Sequence, residues 1–365
     1  MRKLAVFLVA LAGLLTVAFI ALRTPDSDAA AMRLKYGGPS PRFAEMSDGG
    51  SVHYRDQGCR DCPAIVLVHG SNASLHTFEP LVGHLKDRYR LVSYDQPGHG
   101  LTGAHPRDDY SAEGMLEALA AVVDATGVER FAIAGNSMGG WVAWRHALAK
   151  PQDLSGLILI NAAGAPPPAD AQKPRSYLGA RIMRHPVGRL LARHITPRSI
   201  FERSLRGAVA DDAFVTEEMV DRYWELLRYP GNRRAAGLRA IADREPRQGL
   251  RLGEISVPTL ILWGAQDGVT PPYNAKTFDE TIPDSRSVIF GDVGHLTMEE
   301  APERSAAAID EFLAAALAES RQLARRCSEP AVGRRSARRQ MECPVLAHSP
   351  DGGTEMSEHA RRNRS

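Results

Sequence analysis

FAIAGNSMGGWVAW, residues 131–144, runs from one apolar stretch through Gly135-Asn136-Ser137-Met138-Gly139-Gly140 into another. Phe131–Ala134 reads as a buried strand and Met138–Ala149 as a helix. G-x-S-x-G at such a junction has a physical logic. The serine backbone is held in a sharp turn. The glycines two positions before and after it remove side chains that would strike the neighbouring strand and helix. The hydroxyl then emerges at the strand's C-terminal end, beside a helix N-terminus that favours developing negative charge. A Gly-rich turn carrying an idle serine has the same spacing, so the motif alone leaves both readings open.

A serine hydroxyl is a poor nucleophile without a base, and the base needs an orienting acid. Two later loops supply them. Trp263-Gly-Ala-Gln-Asp267 places an aspartate just past a strand-like run, and Gly294-His295-Leu296 follows the last such run. In the order Ser137, Asp267, His295, all three fall on loops at one edge of a sheet. An oxyanion hole requires two N–H donors. Met138, directly after the serine, provides one. The other is expected from His69-Gly70-Ser71-Asn72, after the strand Ala64–Val68, with Ser71 preferred and Asn72 second. His69 reads as a residue that holds this loop.

Around these motifs, short apolar runs alternate with helix-length segments. Ala64–Val68, Leu91–Asp95, Phe131–Ala134, Leu157–Ile160, Thr259–Trp263 and Ser287–Phe290 read as strands. Leu75–Lys86, Ser111–Thr126 with Ser111 as N-cap, Met138–Ala149 and a final segment from Ala301 to about Glu319 read as helices. Strands apolar on both faces and separated by helices imply a mostly parallel α/β sheet covered on both sides. Between Pro166 and about Gln248 the strand pattern stops. That segment carries 16 Lys or Arg against 10 Asp or Glu and reads as a helical insertion. The expected organisation is an anchor and linker over 1–31, a core over 32–165, the insertion over 166–248, the rest of the core over 249–319, and an Arg-rich disordered tail over 320–365.

The residues VLVHGSN (66–72), YDQPGHGLT (94–102), GNSMGG (135–140), ILWGAQDGVTP (261–271) and GDVGHLTMEEAPE (291–303) together resemble the α/β-hydrolase fold superfamily, in its order and over about 60–310. The resemblance implies an eight-stranded-type sheet, a helical cap made by the insertion, and no cofactor. His99 falls in a frequent turn of that family rather than at a catalytic position. A serine at 137 excludes the aspartate-nucleophile branches. GNSMGG is similar to the carbon–carbon bond hydrolases of aromatic degradation, where the Asn beside the serine lines the active site. Those enzymes usually carry Trp after the catalytic His, where this chain has Leu296. Esterases, lipases and perhydrolase-like enzymes share the SMGG pattern. Asn136 and Leu296 are therefore the expected pocket residues.

The ends of the chain bear on location. Leu4–Leu22 is uncharged, follows Arg2 and Lys3, and is long enough to cross a bilayer's hydrocarbon core. It reads as a signal anchor with the N-terminus inside and the hydrolase outside the cytoplasm. The alternative is secretion after signal cleavage. Cys59 and Cys62 sit in a short turn where an oxidising compartment permits a disulfide. No second pair at ligand spacing points to a metal. The segment 176–194 mixes Tyr177, Leu178, Ile182, Met183, Leu190 and Leu191 with Arg181, Arg184, His185, Arg189 and Arg193. It reads as a cap helix, with a membrane-facing basic stretch as the alternative. A net charge of +2 argues against a nucleic-acid partner. The expected activity is hydrolysis of a small or lipidic carboxylic ester through an acyl-enzyme. Carbon–carbon bond hydrolysis next to a carbonyl and an idle ligand-binding protein remain as alternatives.

Overall fold

Side chains along a strand point alternately to opposite faces. Strands apolar at every position therefore need cover on both sides. The computed structural model describes residues 1–167, 185–242 and 251–328. It contains an eight-stranded sheet built from β1 (Arg42–Glu45), β2 (Ser51–Gly58), β3 (Ala64–Val68), β4 (Arg90–Tyr94), β5 (Phe131–Asn136), β6 (Leu154–Ile160), β7 (Thr259–Gly264) and β8 (Ser285–Phe290). Their order is β1-β2-β4-β3-β5-β6-β7-β8. β1 and β2 are antiparallel, and every pair from β4 to β8 is parallel. The expected fold class is the one observed. The β1–β2 ribbon was not anticipated: RFAE and SVHYRDQG are polar enough to hide a strand signal.

The two faces are distinct cores. Val66, Val68, Phe131, Ile133, Leu159 and Ile261 face one apolar cluster, which is closed by α4 (Ala112–Thr126), α5 (Met138–Ala149) and α10 (Tyr273–Thr281). Ile65, Leu67, Ala132, Ala134, Ile158 and Leu262 face the other, closed by α3 (Glu79–Leu85) and the early turns of α12 (Pro302–Ser328). Ser111 caps α4 by accepting from Gly114 N–H at 3.3 Å. The helix expected over Leu75–Lys86 begins as a 3₁₀ turn, Leu75–Phe78. Pro80 lacks the N–H that an α-helix would need there, and α3 starts around it. Residues 320–328, expected in the tail, continue α12. The rest of the expected tail, 329–365, lies outside the described residues.

The insertion contributes α6 (Pro186–Ala192), α7 (Arg198–Arg206), α8 (Glu217–Leu227) and α9 (Asn232–Arg239). Its described residues contain no strand. Residues 168–184 and 243–250 lie outside the described residues, and with them Tyr177, Leu178, Arg181, Ile182, Met183 and Arg184. Leu205, Val209, Val215, Met219 and Tyr223 join the second apolar cluster together with Leu296 and Met298, so the insertion shares a core with the loop that carries His295.

α1 (Arg2–Leu22) buries no residue and is long and apolar enough to cross a membrane by length and composition. The boundary expected at residue 31 falls inside α2 (Ala29–Tyr36), which is capped by Asp28. The chain after α1 is held against the insertion rather than hanging as a linker. Thr24 N–H donates to His194 O at 2.7 Å and Ser27 N–H to Arg228 O at 2.9 Å, while the Ser27 and Tyr36 hydroxyls donate to Glu225. Cys59 and Cys62 form a disulfide in the turn between β2 and β3.

His146 of α5 lies against the Phe131 ring, 5.7 Å between centroids, and burial lowers its pKa to about 4; burial does the same to His76. An unfolded histidine titrates near 6.5, so between those values the unfolded chain binds more protons. The contribution of these two histidines should be level above about pH 7 and fall as the pH drops from about 6.5 to 4, by up to about 1.4 kcal/mol per unit for each. Urea midpoints at pH 7.5 and 4.5 read this directly, and His146→Leu should flatten part of the slope.

Candidate functional site

β5 ends at Asn136 and α5 begins at Met138, which leaves Ser137 to make the whole turn. Its backbone sits at φ 53°, ψ −116°. A non-glycine residue at such a φ stores about 1–3 kcal/mol, which the surroundings must hold in place. Ser137 N–H donates to Ile160 O at 3.0 Å, and Ser137 O accepts from Ala163 N–H at 2.9 Å. The flanking glycines are required by space. A Cβ on Gly135 would lie 2.2 Å from Gly139 O, and one on Gly139 would lie 2.0 Å from Val68 O.

Because β3 pairs with β5, with Val68 opposite Gly135, the loop after β3 runs directly against this turn. A Cβ on Gly70 would fall 3.0 Å from Ser137 Cβ. Ser71 Oγ donates to Met138 Sδ at 3.2 Å. Ser71 and Met138 are therefore side by side next to Ser137. Met138 opens its helix, so its N–H has no acceptor within α5. Asn72 follows in the loop at φ 62°. His69 is fully committed: Nδ1 donates to Gly70 O at 2.7 Å and Nε2 accepts from Gln96 N–H at 3.0 Å. Burial lowers its pKa, which keeps the ring neutral in that role. His99 packs edge-on against it, 4.9 Å between ring centroids.

Asp267 and His295 come from the loops after β7 and β8. His295 Nδ1 and Asp267 Oδ2 are 2.8 Å apart. A carboxylate only accepts, so the proton resides on Nδ1 and leaves Nε2 as the basic nitrogen. Asp267 Oδ2 also accepts from Asn161 Nδ2 at 2.7 Å, and Oδ1 from the N–H groups of Val269 and Thr270 at 2.7 and 2.8 Å. Among the described residues the Ser137 hydroxyl forms no hydrogen bond, so the contact between serine and imidazole is not closed in this state.

Asn136 links the serine turn to the histidine loop. Its Nδ2 donates to Ile160 O and to His295 O, each at 3.2 Å. The residue is 1% exposed, and its amide nitrogen holds two loops together. Leu296 packs into the cluster shared with Leu205, Val209 and Met219, where the insertion covers the histidine loop.

Two supporting residues were missed by the sequence reading. Asn161, buried at φ 47° just past β6, donates to Asp267 and to Gly294 O, and accepts from Thr297 Oγ1. Glu300 accepts from the N–H groups of Gly294, Leu296 and Ala210 at 3.0, 3.1 and 2.8 Å, and His295 N–H donates to Ala208 O at 2.6 Å. Residues 208–210 of the insertion thus bracket the histidine. The available signal for Asn161 was its place at a strand end on the same sheet edge as Ser137. Nearby, Glu299 accepts from Thr77, Tyr223 and Arg222. Burial pushes its carboxyl up, against the downward pull of Arg222, Thr77 and Tyr223, and the rise prevails. This cluster fastens α8 to α11 (Thr297–Glu300).

A family model described as "alpha/beta hydrolase fold" matches residues 63–302. The chain is 27% identical over 293 residues to a 2-hydroxy-6-oxo-6-phenylhexa-2,4-dienoate hydrolase of Comamonas testosteroni, covering 75% of this chain and 96% of that protein. It is 25% identical over 276 residues to the hydrolase YugF of Bacillus subtilis, covering 73% and 95%. Among solved structures it is similar to a thermophilic esterase from Thermogutta terrifontis, with a TM-score of 0.64, 27% identity, and coverage of 76% of this chain and 99% of that one.

Replacing Asn161 with Ala removes one donor from Asp267 and leaves the Thr297 hydroxyl without its acceptor. The variant should lose about 1–3 kcal/mol of stability. Chemical denaturation of the full chain in detergent measures this, and a change below a few tenths of a kcal/mol would contradict the network.

Proposed function

Because the chain belongs to the α/β-hydrolase fold family, we propose that it hydrolyses a carboxylic ester by acyl transfer, with Ser137 as nucleophile, His295 as base and Asp267 as the acid that orients the base. The observation that carries this reading is the strained turn at Ser137, φ 53°, tied through Asn136 Nδ2 to the backbone of His295, whose Nδ1 is held 2.8 Å from Asp267. Ser137 Oγ attacks the carbonyl carbon as His295 Nε2 takes its proton, and Asp267 stabilises the resulting imidazolium. The N–H groups of Met138 and Ser71, with Asn72 next in the loop, receive the oxyanion. Collapse expels the alcohol, protonated by His295, and leaves Ser137 acylated. A water deprotonated by His295 then attacks the acyl carbon, and the acid departs. The insertion acts as a cap whose helices limit what reaches Ser137.

α1 anchors this hydrolase in a membrane with the catalytic domain outside the cytoplasm. An apolar helix with no buried residue and the Cys59–Cys62 disulfide, which suits an oxidising compartment, support that placement. Carbon–carbon cleavage next to a carbonyl is the second reading. It draws on the 27% identity to the Comamonas testosteroni hydrolase. Asn136 gives its amide nitrogen to two backbone carbonyls, which leaves its Oδ1 as the atom that could meet a substrate in that reading.

A fluorophosphonate probe should label the full-length wild type and not Ser137→Ala; equal labelling of the two would remove the nucleophile. On p-nitrophenyl esters Asp267→Asn should lower kcat by about ten-thousand-fold, as loss of the correct tautomer does in such triads. A vinylogous diketone run in parallel separates the two readings: turnover of the diketone with inert esters would select carbon–carbon cleavage.

A further inference from the structure

Beyond the site around Ser137, a concave feature lies where the N-terminal segment meets the insertion. A cavity of about 450 Å³ is lined by Arg23, Asp26, Arg193, His194, Arg233 and Arg234, with Pro25 and Gly231. It is built from three separate stretches. Thr24 N–H binds His194 O, Thr196 N–H binds Thr24 Oγ1 at 3.3 Å, and Phe19 of α1 meets the His194 ring at 5.8 Å. The exit of α1 and the cavity are one local structure.

The charges do not cancel. Arg233 is paired with Asp26, and Arg234 with Asp108. Arg23 and Arg193 have no acidic partner among the described residues. Arg233 is 6% exposed, with Nη1 on Thr24 O and Nη2 on Asp26, yet its buried Nε has no acceptor. A cavity with two unpaired guanidiniums and a buried unsatisfied N–H is suited to an anion with several oxygens, and phosphate matches the planar guanidinium fork.

Depth identifies the source of that phosphate. Twenty-one helical residues rise about 31 Å, close to the roughly 30 Å of a bilayer's hydrocarbon core. Arg23, the first residue past α1, then lies at the level of the headgroups. α6, which leads into His194, exposes Val187, Leu190 and Leu191 at 55%, 55% and 44%, apolar surface suited to the adjacent acyl region. We propose that the cavity binds the phosphodiester headgroup of an anionic phospholipid and thereby fixes the insertion against the membrane surface. This rests on α1 spanning the membrane; it does not rest on the ester chemistry of Ser137.

The test uses the full chain in nonionic detergent, titrated by calorimetry with dioctanoyl phosphatidylglycerol, dioctanoyl phosphatidylcholine and inorganic phosphate. Saturable binding of phosphatidylglycerol is expected, at least about tenfold tighter than either of the others. Arg23→Gln and Arg193→Gln should each weaken it about tenfold, while Arg130→Gln, an exposed arginine that does not line the cavity, should leave it unchanged. Equal affinity in wild type and both cavity variants overturns the site. Inorganic phosphate binding as tightly as the lipid overturns the headgroup as its ligand. Alkaline carbonate extraction of membranes tests the premise separately: retention of the wild type supports it, and release into the soluble fraction overturns the spanning helix and with it the lipid source, whatever the calorimetry returns.

Discussion

The close passage of β5 and α5 against the end of β3 is the constraint on which the rest depends. Two parallel strands bring Val68 and Gly135 into register, and the helix that follows must start within one residue of the strand's end. Only glycine at 135 and 139 leaves room for backbone to meet backbone at that corner. The same closeness throws Ser137 into the left-handed region and brings the Gly70-Ser71 loop beside Met138. Strain, exposure of the hydroxyl and the neighbouring N–H groups all follow from one packing fact.

The opposite half of the site is held by polar contacts rather than by glycine. Asp267 and His295 lie on loops, and loops need fastening if a side chain is to stay within a few tenths of an ångström. Asn161 secures the aspartate, Asn136 ties the histidine loop to the serine turn, and Glu300 gathers three backbone N–H groups around His295. One of those N–H groups, Ala210, belongs to the insertion. The segment that would select substrates and the histidine that would activate Ser137 therefore share both hydrogen bonds and a common apolar cluster. A change in the helices of the insertion reaches the base directly.

The insertion has a second attachment, to the chain leaving α1. Thr24, Ser27, Asp26 and Tyr36 all engage it. A segment that reads as a linker is in fact a strap. It joins an apolar helix to the helices that cover the histidine loop, and the basic cavity forms at that junction.

Much of this was legible in the chain itself. Apolar runs of strand length are nearly self-identifying, and β3 begins and ends where the pattern places it. G-x-S-x-G between a strand and a helix, followed by an aspartate and a histidine after later strands, points to one sheet edge because parallel strands deliver all their C-terminal loops to the same side. The β1–β2 ribbon escaped because most of its residues are polar, and its few apolar ones, such as Ala44, Val52 and Tyr54, find the core only through pairing of β2 with β4. The roles of Asn136, Asn161 and Glu300 escaped because an amide or carboxylate gains its meaning from the backbone groups it meets, and those come from residues far away in sequence. Local pattern determined β3 to β8, the serine turn and the order of Ser137, Asp267 and His295. Tertiary packing decided what holds them, what covers them, and how the N-terminal segment joins the insertion, since each of those depends on contacts that no local periodicity encodes.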